Sequence, residues 1–259
     1  MSSAPWDYIA KLVCIGDSGC GKSSLTIRLC EGRFSPQHDV TIGVEFGSRI
    51  VPVGPPHSKQ QQQSSSSSSV ADGGLPDPPR ASSTTPQKHM KLSLWDTAGQ
   101  ETYKSVTRSY FRGASGALLV FDITRRSTFD HVTDWLNDLR AIADPDIVVI
   151  LVGNKLDQAQ PDNDNDSTND KREVPAQEAH DWARRNGVLQ YVETSAKSGE
   201  NVEEAFMRVA ERIFENINAG KYDLNDRRSG VKGPGPGAGA KNVRLSAADA
   251  GRGAAAGCC

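Results

Sequence analysis

The chain has 259 residues, enough for one large domain or two small ones, and 30 basic against 32 acidic residues leave a net charge of −2. That balance offers no general field for nucleic acid, and no stretch approaches the roughly 18 apolar residues of a membrane span. Residues 1–10 lack the basic and apolar regions of a signal peptide. Cys14, Cys20 and Cys30 read as buried or loop thiols of a reducing compartment, and the five histidines have no ligand-like spacing.

In chain order, Lys11–Ile15 is a short apolar run that stops at glycine, as a buried strand does. Gly16-Asp17-Ser18-Gly19-Cys20-Gly21-Lys22-Ser23 follows, fitting G-x-x-x-x-G-K-[ST]. Ser24–Leu29 then places Leu25 and Leu29 on one helical face. Strand, glycine loop and helix aim backbone N–H groups and a helix N-terminus at one point, the setting for a polyphosphate. Ser18–Ser24 line that loop, with Lys22 expected on the β/γ-phosphates and the Ser23 hydroxyl on Mg²⁺.

Val44–Val53 reads as a second strand. From about 55 to 88 the chain turns to Gln and Ser runs followed by prolines, too poor in apolar surface to offset its ordering entropy. It is expected to be a disordered insertion, tolerated because loop-closure entropy grows only logarithmically. Lys91–Trp95 restores a strand and runs into Asp96-Thr97-Ala98-Gly99-Gln100. Gly116–Ile123 and Ile147–Val152 are near-continuous apolar runs typical of central parallel strands. Between them Ser127 or Thr128 is placed to cap a helix with a face of Phe129, Val132, Trp135, Leu136 and Leu139. Residues 158–170 form a second, polar insertion. A helix over 175–186, a strand at Leu189–Val192, and a last helix opened by an Asn201/Glu204 capping box complete the pattern. This alternation predicts an α/β domain over residues 1–219, its mostly parallel sheet covered on both faces. From 220 to 259 the chain is Gly-, Pro- and Ala-rich and expected to be a disordered tail.

Ligands of such sheets bind beyond the carboxyl ends of strands. Asn154-Lys155-Leu156-Asp157 and Ser195-Ala196-Lys197 each follow a strand there. A carboxylate at Asp157 accepts guanine N1–H and the exocyclic amine, while it repels the acceptor that adenine presents at N1. The Lys155 stem is placed to cover the base, Asn154 to brace the two loops, and Ser195–Lys197 to aim an N–H at the guanine O6. Asp96 is placed to hold the Mg²⁺ water shell, Gly99 to bring its N–H to a γ-phosphate, and Gln100 to orient an attacking water.

These four motifs and Thr41 match the five guanine-nucleotide motifs of the Ras-like small GTPases, in order. Ile42–Phe46, Trp95, Tyr110–Ala114 and the terminal Cys258-Cys259 resemble the Rab family. Residues 43–47 and 124–129 look most like its Golgi and ER–Golgi branch, the endosomal-recycling branch coming next. The resemblance implies a three-layer P-loop G domain with a six-stranded sheet, its second strand antiparallel, and about five helices. It also implies Phe34 against the guanine, Thr41 on Mg²⁺ and the γ-phosphate, and an effector surface of Ile42, Phe46, Trp95 and Tyr110. From the residues alone, those aromatics would be core. Implied cofactors are GTP or GDP with Mg²⁺, and implied partners are an exchange factor, an activating protein, a GDP-dissociation inhibitor, prenylation escort machinery and effectors. The G domain is expected to be monomeric and to bind no nucleic acid. Cys258 and Cys259 make little sense as core or as a disulfide; two lipid chains there would anchor the protein to cytoplasmic membrane faces stably, where one holds only marginally. A GTPase switch in vesicle trafficking is therefore expected. A non-hydrolysing nucleotide-dependent scaffold is the alternative, which Gln100 and Thr41 oppose; a kinase using the same loop conflicts with Asp157.

Overall fold

The computed structural model describes residues 5–36, 40–55, 86–100, 104–159, 171–226 and 229–233. Its strands are β1 (Tyr8–Ile15), β2 (Val44–Val53), β3 (Lys88–Thr97), β4 (Gly116–Asp122), β5 (Val148–Asn154), β6 (Tyr191–Glu193) and the short β7 (Val231–Lys232). The helices are α1 (Lys22–Glu31), α2 (Lys104–Ser109), α3 (Arg126–Asp130), α4 (Val132–Arg140), α5 (Ala176–Arg185) and α6 (Val202–Asn218). Only His131 separates α3 from α4, so counted as one helical body they leave the expected five among the described residues.

The sheet order is β2-β3-β1-β4-β5-β6, with β2 antiparallel to β3 and the four pairs from β3 to β6 parallel. Alternation along the central strands sorts side chains onto two faces. Leu12, Cys14, Leu118, Val120, Ile150 and Val152 pack with Leu25 and Leu29 of α1 and with Phe206, Val209 and Ile213 of α6. Val13, Ile15, Leu119, Phe121, Val149 and Leu151 pack with Phe129, Trp135, Leu139 and Trp182 of α3–α5. Strands covered on both sides need apolar residues at every position, which is why β4 and β5 read as unbroken runs. Because the strands are parallel, the segments after β1, β3, β4, β5 and β6 all emerge at one edge of the sheet, and β2 begins there.

Three local expectations need correction. Neither Ser127 nor Thr128 caps α3, whose N-cap position is Arg125 with no side-chain cap. The Thr128 hydroxyl accepts the Asp122 N–H at 3.0 Å instead, fastening the helix to the end of β4. Asn201 precedes α6 but forms no capping box: it sits at φ 55°, a left-handed conformation Asn tolerates, and its amide donates to the Glu193 carbonyl at 2.9 Å.

The third correction concerns the tail. The chain does not lose structure at residue 220. Tyr222 and Leu224 pack on the α1/α6 core, and Val231, fully buried, enters it. Val231 and Lys232 pair antiparallel with Ala10 and Ile9, and the Lys11 N–H donates to the Gly230 carbonyl at 2.8 Å. Pairing of β4 with β1 begins only at Gly116 and Leu12, so the flank of β1 before it has unpaired backbone groups that this short segment satisfies. Gly230 runs against the Gly113 carbonyl so closely that any side chain there would collide with it.

The ends of the Gln/Ser-rich segment are pinned together. The Glu211 carboxylate on α6 accepts the Gly54 N–H at 3.1 and 3.2 Å, and the Gln87 amide donates to the Val53 carbonyl at 2.9 Å. The root therefore lies at the sheet end opposite the loops described below. The bodies of both expected insertions (56–85 and 160–170), residues 234–259, and with them Cys258 and Cys259, lie outside the described residues. Among the described residues no helix is long and apolar enough to cross a membrane.

Candidate functional site

The segments at the carboxyl edge enclose a cleft of about 350 Å³. One wall is the loop between β1 and α1 together with the first turn of α1, contributing Ser18, Gly19, Gly21, Lys22, Ser23 and Ser24. Phe34, Thr41 and Gly99 close one side; Asn154, Lys155, Asp157, Ala196 and Lys197 close the far end. Ser35, Pro36, Val40 and Gln158, which sequence reasoning missed, also line it. Cys20, Asp96, Gln100 and Ser195 do not. The Cys20 side chain turns inward to the α1/α6 core, and burial pushes its thiol up, leaving it an inert packing residue. Gln100 follows Gly99, partly exposed, outside the cleft wall.

At the end nearest α1, Lys22 is only 5% exposed, and its ammonium donates to the Gly16 and Asp17 carbonyls at 2.9 Å each. Burial pulls its pKa down, so an anion placed beside it gains a strong Coulombic partner. The Ser23 hydroxyl contacts the Thr41 hydroxyl at 2.9 Å and donates to the Asp96 carboxylate. Three oxygen groups from α1, the segment before β2, and β3 thus converge at one buried point. Hydroxyl and carboxylate oxygens are the donors a hard cation such as Mg²⁺ takes, so this set fits that ion. Gly99 lies against the Asp17–Ser18 peptide: a Cβ there would stand 2.5 Å from the Asp17 carbonyl carbon, the Ser18 nitrogen and the Lys22 ammonium. Only glycine brings the backbone this close to the loop.

At the other end Asn154 joins three segments. Its amide donates to the Cys20 carbonyl at 2.8 Å, while its carbonyl accepts the Thr194 hydroxyl and the Ala196 N–H at 3.2 Å each. Asp157 accepts the Ser195 hydroxyl at 2.6 Å and has the Lys197 ammonium 3.9 Å away. Lys155, at φ 71°, turns its ammonium to the buried Asp122 at 2.7 Å, which leaves its aliphatic stem along the cleft wall. Asp122, at the end of β4, and Arg28, whose guanidinium donates to the Ala196 carbonyl at 2.8 Å, are further supports that no motif singled out. A lone carboxylate ending an apolar strand was the available signal for Asp122.

A protein-family model of the Ras family matches residues 11–63 and 76–215. The chain belongs to the Ras family. The unmatched residues 64–75 fall inside the Gln/Ser-rich segment. Ras-family proteins are small GTPases that bind GTP and GDP with Mg²⁺ and work with exchange factors, activating proteins and effectors. The α/β sheet with an antiparallel second strand is the Ras-like G-domain fold.

Outside the cleft, Phe46, Trp95 and Tyr110 form a continuous ledge: ring centroids are 4.6 Å apart for Phe46–Trp95 and 5.6 Å for Trp95–Tyr110. Phe46 is 66% exposed and neighbouring Ile42 78%. Reading these aromatics as core fails for a physical reason. They lie at the β2/β3 end of the sheet, where Phe46 has no helix over it, while Trp95 and Tyr110 stay half-buried and Trp95 rests on the margin of the α3–α5 core.

Proposed function

We infer that this Ras-family protein is a GTP-hydrolysing switch of the Rab type, acting in vesicle trafficking. One observation carries the guanine part: the Asp157 carboxylate lines the same cleft as Lys22 and Ser23, so one ligand spans a phosphate end and a base-recognising end. Ser18–Ser24 cradle the phosphates, and Ser23, Thr41 and Asp96 would hold Mg²⁺, the first two through their hydroxyls and Asp96 through its carboxylate. Mg²⁺ supplies charge neutralisation on the phosphate oxygens. Phe34, Asn154, Lys155, Asp157 and Ser195–Lys197 serve the base.

Gln100 orients the attacking water from its place next to Gly99. Changing Gln100 to Leu keeps the backbone and removes the donor and acceptor. Nucleotide affinity is expected to stay within about twofold, while intrinsic single-turnover hydrolysis falls on the order of a hundredfold, the low end for losing a group that positions a reactant. Hydrolysis at the parental rate would favour the non-hydrolysing scaffold.

The Rab assignment rests on the Phe46–Trp95–Tyr110 ledge, exposed at Phe46 and at neighbouring Ile42, a surface that would change with the order of the Thr41 and Gly99 segments. It rests also on the adjacent Cys258 and Cys259. Geranylgeranylation of Cys258 and Cys259 supplies two lipid chains and stable attachment, and GDP-dissociation inhibitor and escort proteins handle the lipidated tail. The membrane is that of the Golgi or ER–Golgi boundary, with recycling endosomes as the second compartment. Fractionation and imaging beside compartment markers test both points. The Cys258→Ser, Cys259→Ser double variant is expected in the soluble fraction with nucleotide binding intact; retention on membranes would sink the lipid anchor.

A further inference from the structure

Of the phosphate loop's side chains, Asp17 is tied to an element outside the cleft. Its carboxylate reaches across to the helical body after β4, where one oxygen accepts the Trp135 indole N–H at 2.8 Å and the other lies 2.7 Å from His131 Nδ1. Next along the loop, the Ser18 carbonyl accepts the Arg125 guanidinium at 2.7 Å. These groups border a second cavity behind the loop, separate from the nucleotide cleft apart from shared Ser18 and Gly99. The intervening Asp17–Ser18 peptide is the one that receives the Lys22 ammonium on its carbonyl and Gly99 against its plane.

We propose that Asp17, clamped by His131 and Trp135, is a positioning residue that fixes the phosphate loop and thereby sets how fast bound nucleotide leaves. This rests on the guanine-nucleotide reading above. The argument is mechanical. Lys22 and the loop N–H groups hold phosphate only while the Asp17–Ser18 peptide keeps its orientation, and that peptide has no regular secondary structure to hold it. The clamp supplies it from a buried ring (Trp135) on a helix packed into the α3–α5 core. The two halves of the clamp differ. The Trp135 bond is part-buried and independent of pH, whereas His131 is exposed and its bond gains strength from charge.

The charge gives the clamp a signature that simple support of the fold lacks. Asp17 beside His131 raises the imidazole pKa above its ordinary value, with Asp134 and Asp130 adding to the effect and Arg125 bordering the same cavity. Of these groups only the imidazole changes charge near neutrality. The charged pair is therefore complete at pH 6 and is lost as pH rises through the raised value, so nucleotide release should quicken from pH 6 to pH 8.5. Because the pair is exposed, the gain is limited to about twofold to fivefold.

The test measures release of a fluorescent GDP analogue from the full-length protein at fixed Mg²⁺, at pH 6 and pH 8.5, with melting temperatures of the GDP-bound forms. Asp17→Asn, which keeps an acceptor for Trp135, and His131→Gln are expected to release GDP at pH 6 as fast as the parent does at pH 8.5, with a flat profile. Trp135→Phe keeps the ring's bulk and removes the N–H; it should speed release about tenfold at both pH values, the loss of one bond to a carboxylate. Parental rates and a parental pH profile in Asp17→Asn and His131→Gln would overturn the clamp alone. Faster release matched by equal losses of melting temperature at both pH values would also overturn it, reducing Asp17 to fold support. A parent that holds no guanine nucleotide would overturn the reading beneath it, and the clamp with it.

Discussion

Replacing Asp157 by Asn is expected to lower GTP affinity about a hundredfold and to shift the preferred base toward xanthine. Hydrogen bonds to a charged partner contribute roughly 1.5–3 kcal/mol each, and losing about 3 kcal/mol across the guanine N1–H and amine corresponds to about two decades in Kd. The carboxylate side chain is only 16% exposed, so solvent makes up little of the loss. The geometry also decides which way the amide turns. The Ser195 hydroxyl donates to one Asp157 oxygen at 2.6 Å and will hold the amide's carbonyl there. The amide N–H₂ is then left facing the cleft, where guanine offers donors of its own. Xanthine has a carbonyl at that edge and accepts it. Competition with GTP and XTP checks this directly; an unchanged preference for GTP would remove Asp157 from the base end.

The second large effect is expected at Ser23. Its hydroxyl is wedged between the Thr41 hydroxyl, 2.9 Å away, and the Asp96 carboxylate, and the residue is buried. Asn is longer and planar, so Ser23→Asn both removes a small oxygen donor and pushes the Thr41 segment away. GTP depends on Mg²⁺ and on Thr41 more than GDP does, so the two nucleotides should separate. GTP affinity should fall on the order of tenfold to a hundredfold more than GDP affinity, the range that follows loss of a metal-site contact. The variant should then accumulate with GDP and sequester its exchange factor. Equal losses for the two nucleotides, measured by competition, would remove Ser23 from the metal site.

What the sequence made legible has a common character. The glycine loop, Asn154–Asp157 and Ser195–Lys197 were found because each follows a strand that its own periodicity marks, and parallel strands bring such segments to one edge whatever the details. Contacts that depend on which helix faces which loop left no local trace. Asp17 reaching Trp135 and His131 spans more than a hundred residues, and nothing near Asp17 hints at a partner. Asn201 misled for the opposite reason: its spacing to Glu204 fits a capping box, but the nearby Glu193 carbonyl competes for its side chain. The β7 segment escaped notice because two residues carry no period. Its place is set by a gap beside β1, which only the assembled sheet creates.

The central claim is that one cleft selects guanine at Asp157 and holds phosphates at Lys22 and Ser23. Displacement of a fluorescent GDP analogue from the full-length protein, by unlabelled GDP, GTP and ATP in Mg²⁺, tests it most directly. A site built to hydrogen-bond its ligand rejects one lacking those groups by about 10⁴-fold or more, so GDP and GTP should displace the probe while ATP fails even at about a thousandfold excess. Displacement by ATP at concentrations similar to GTP would contradict the account.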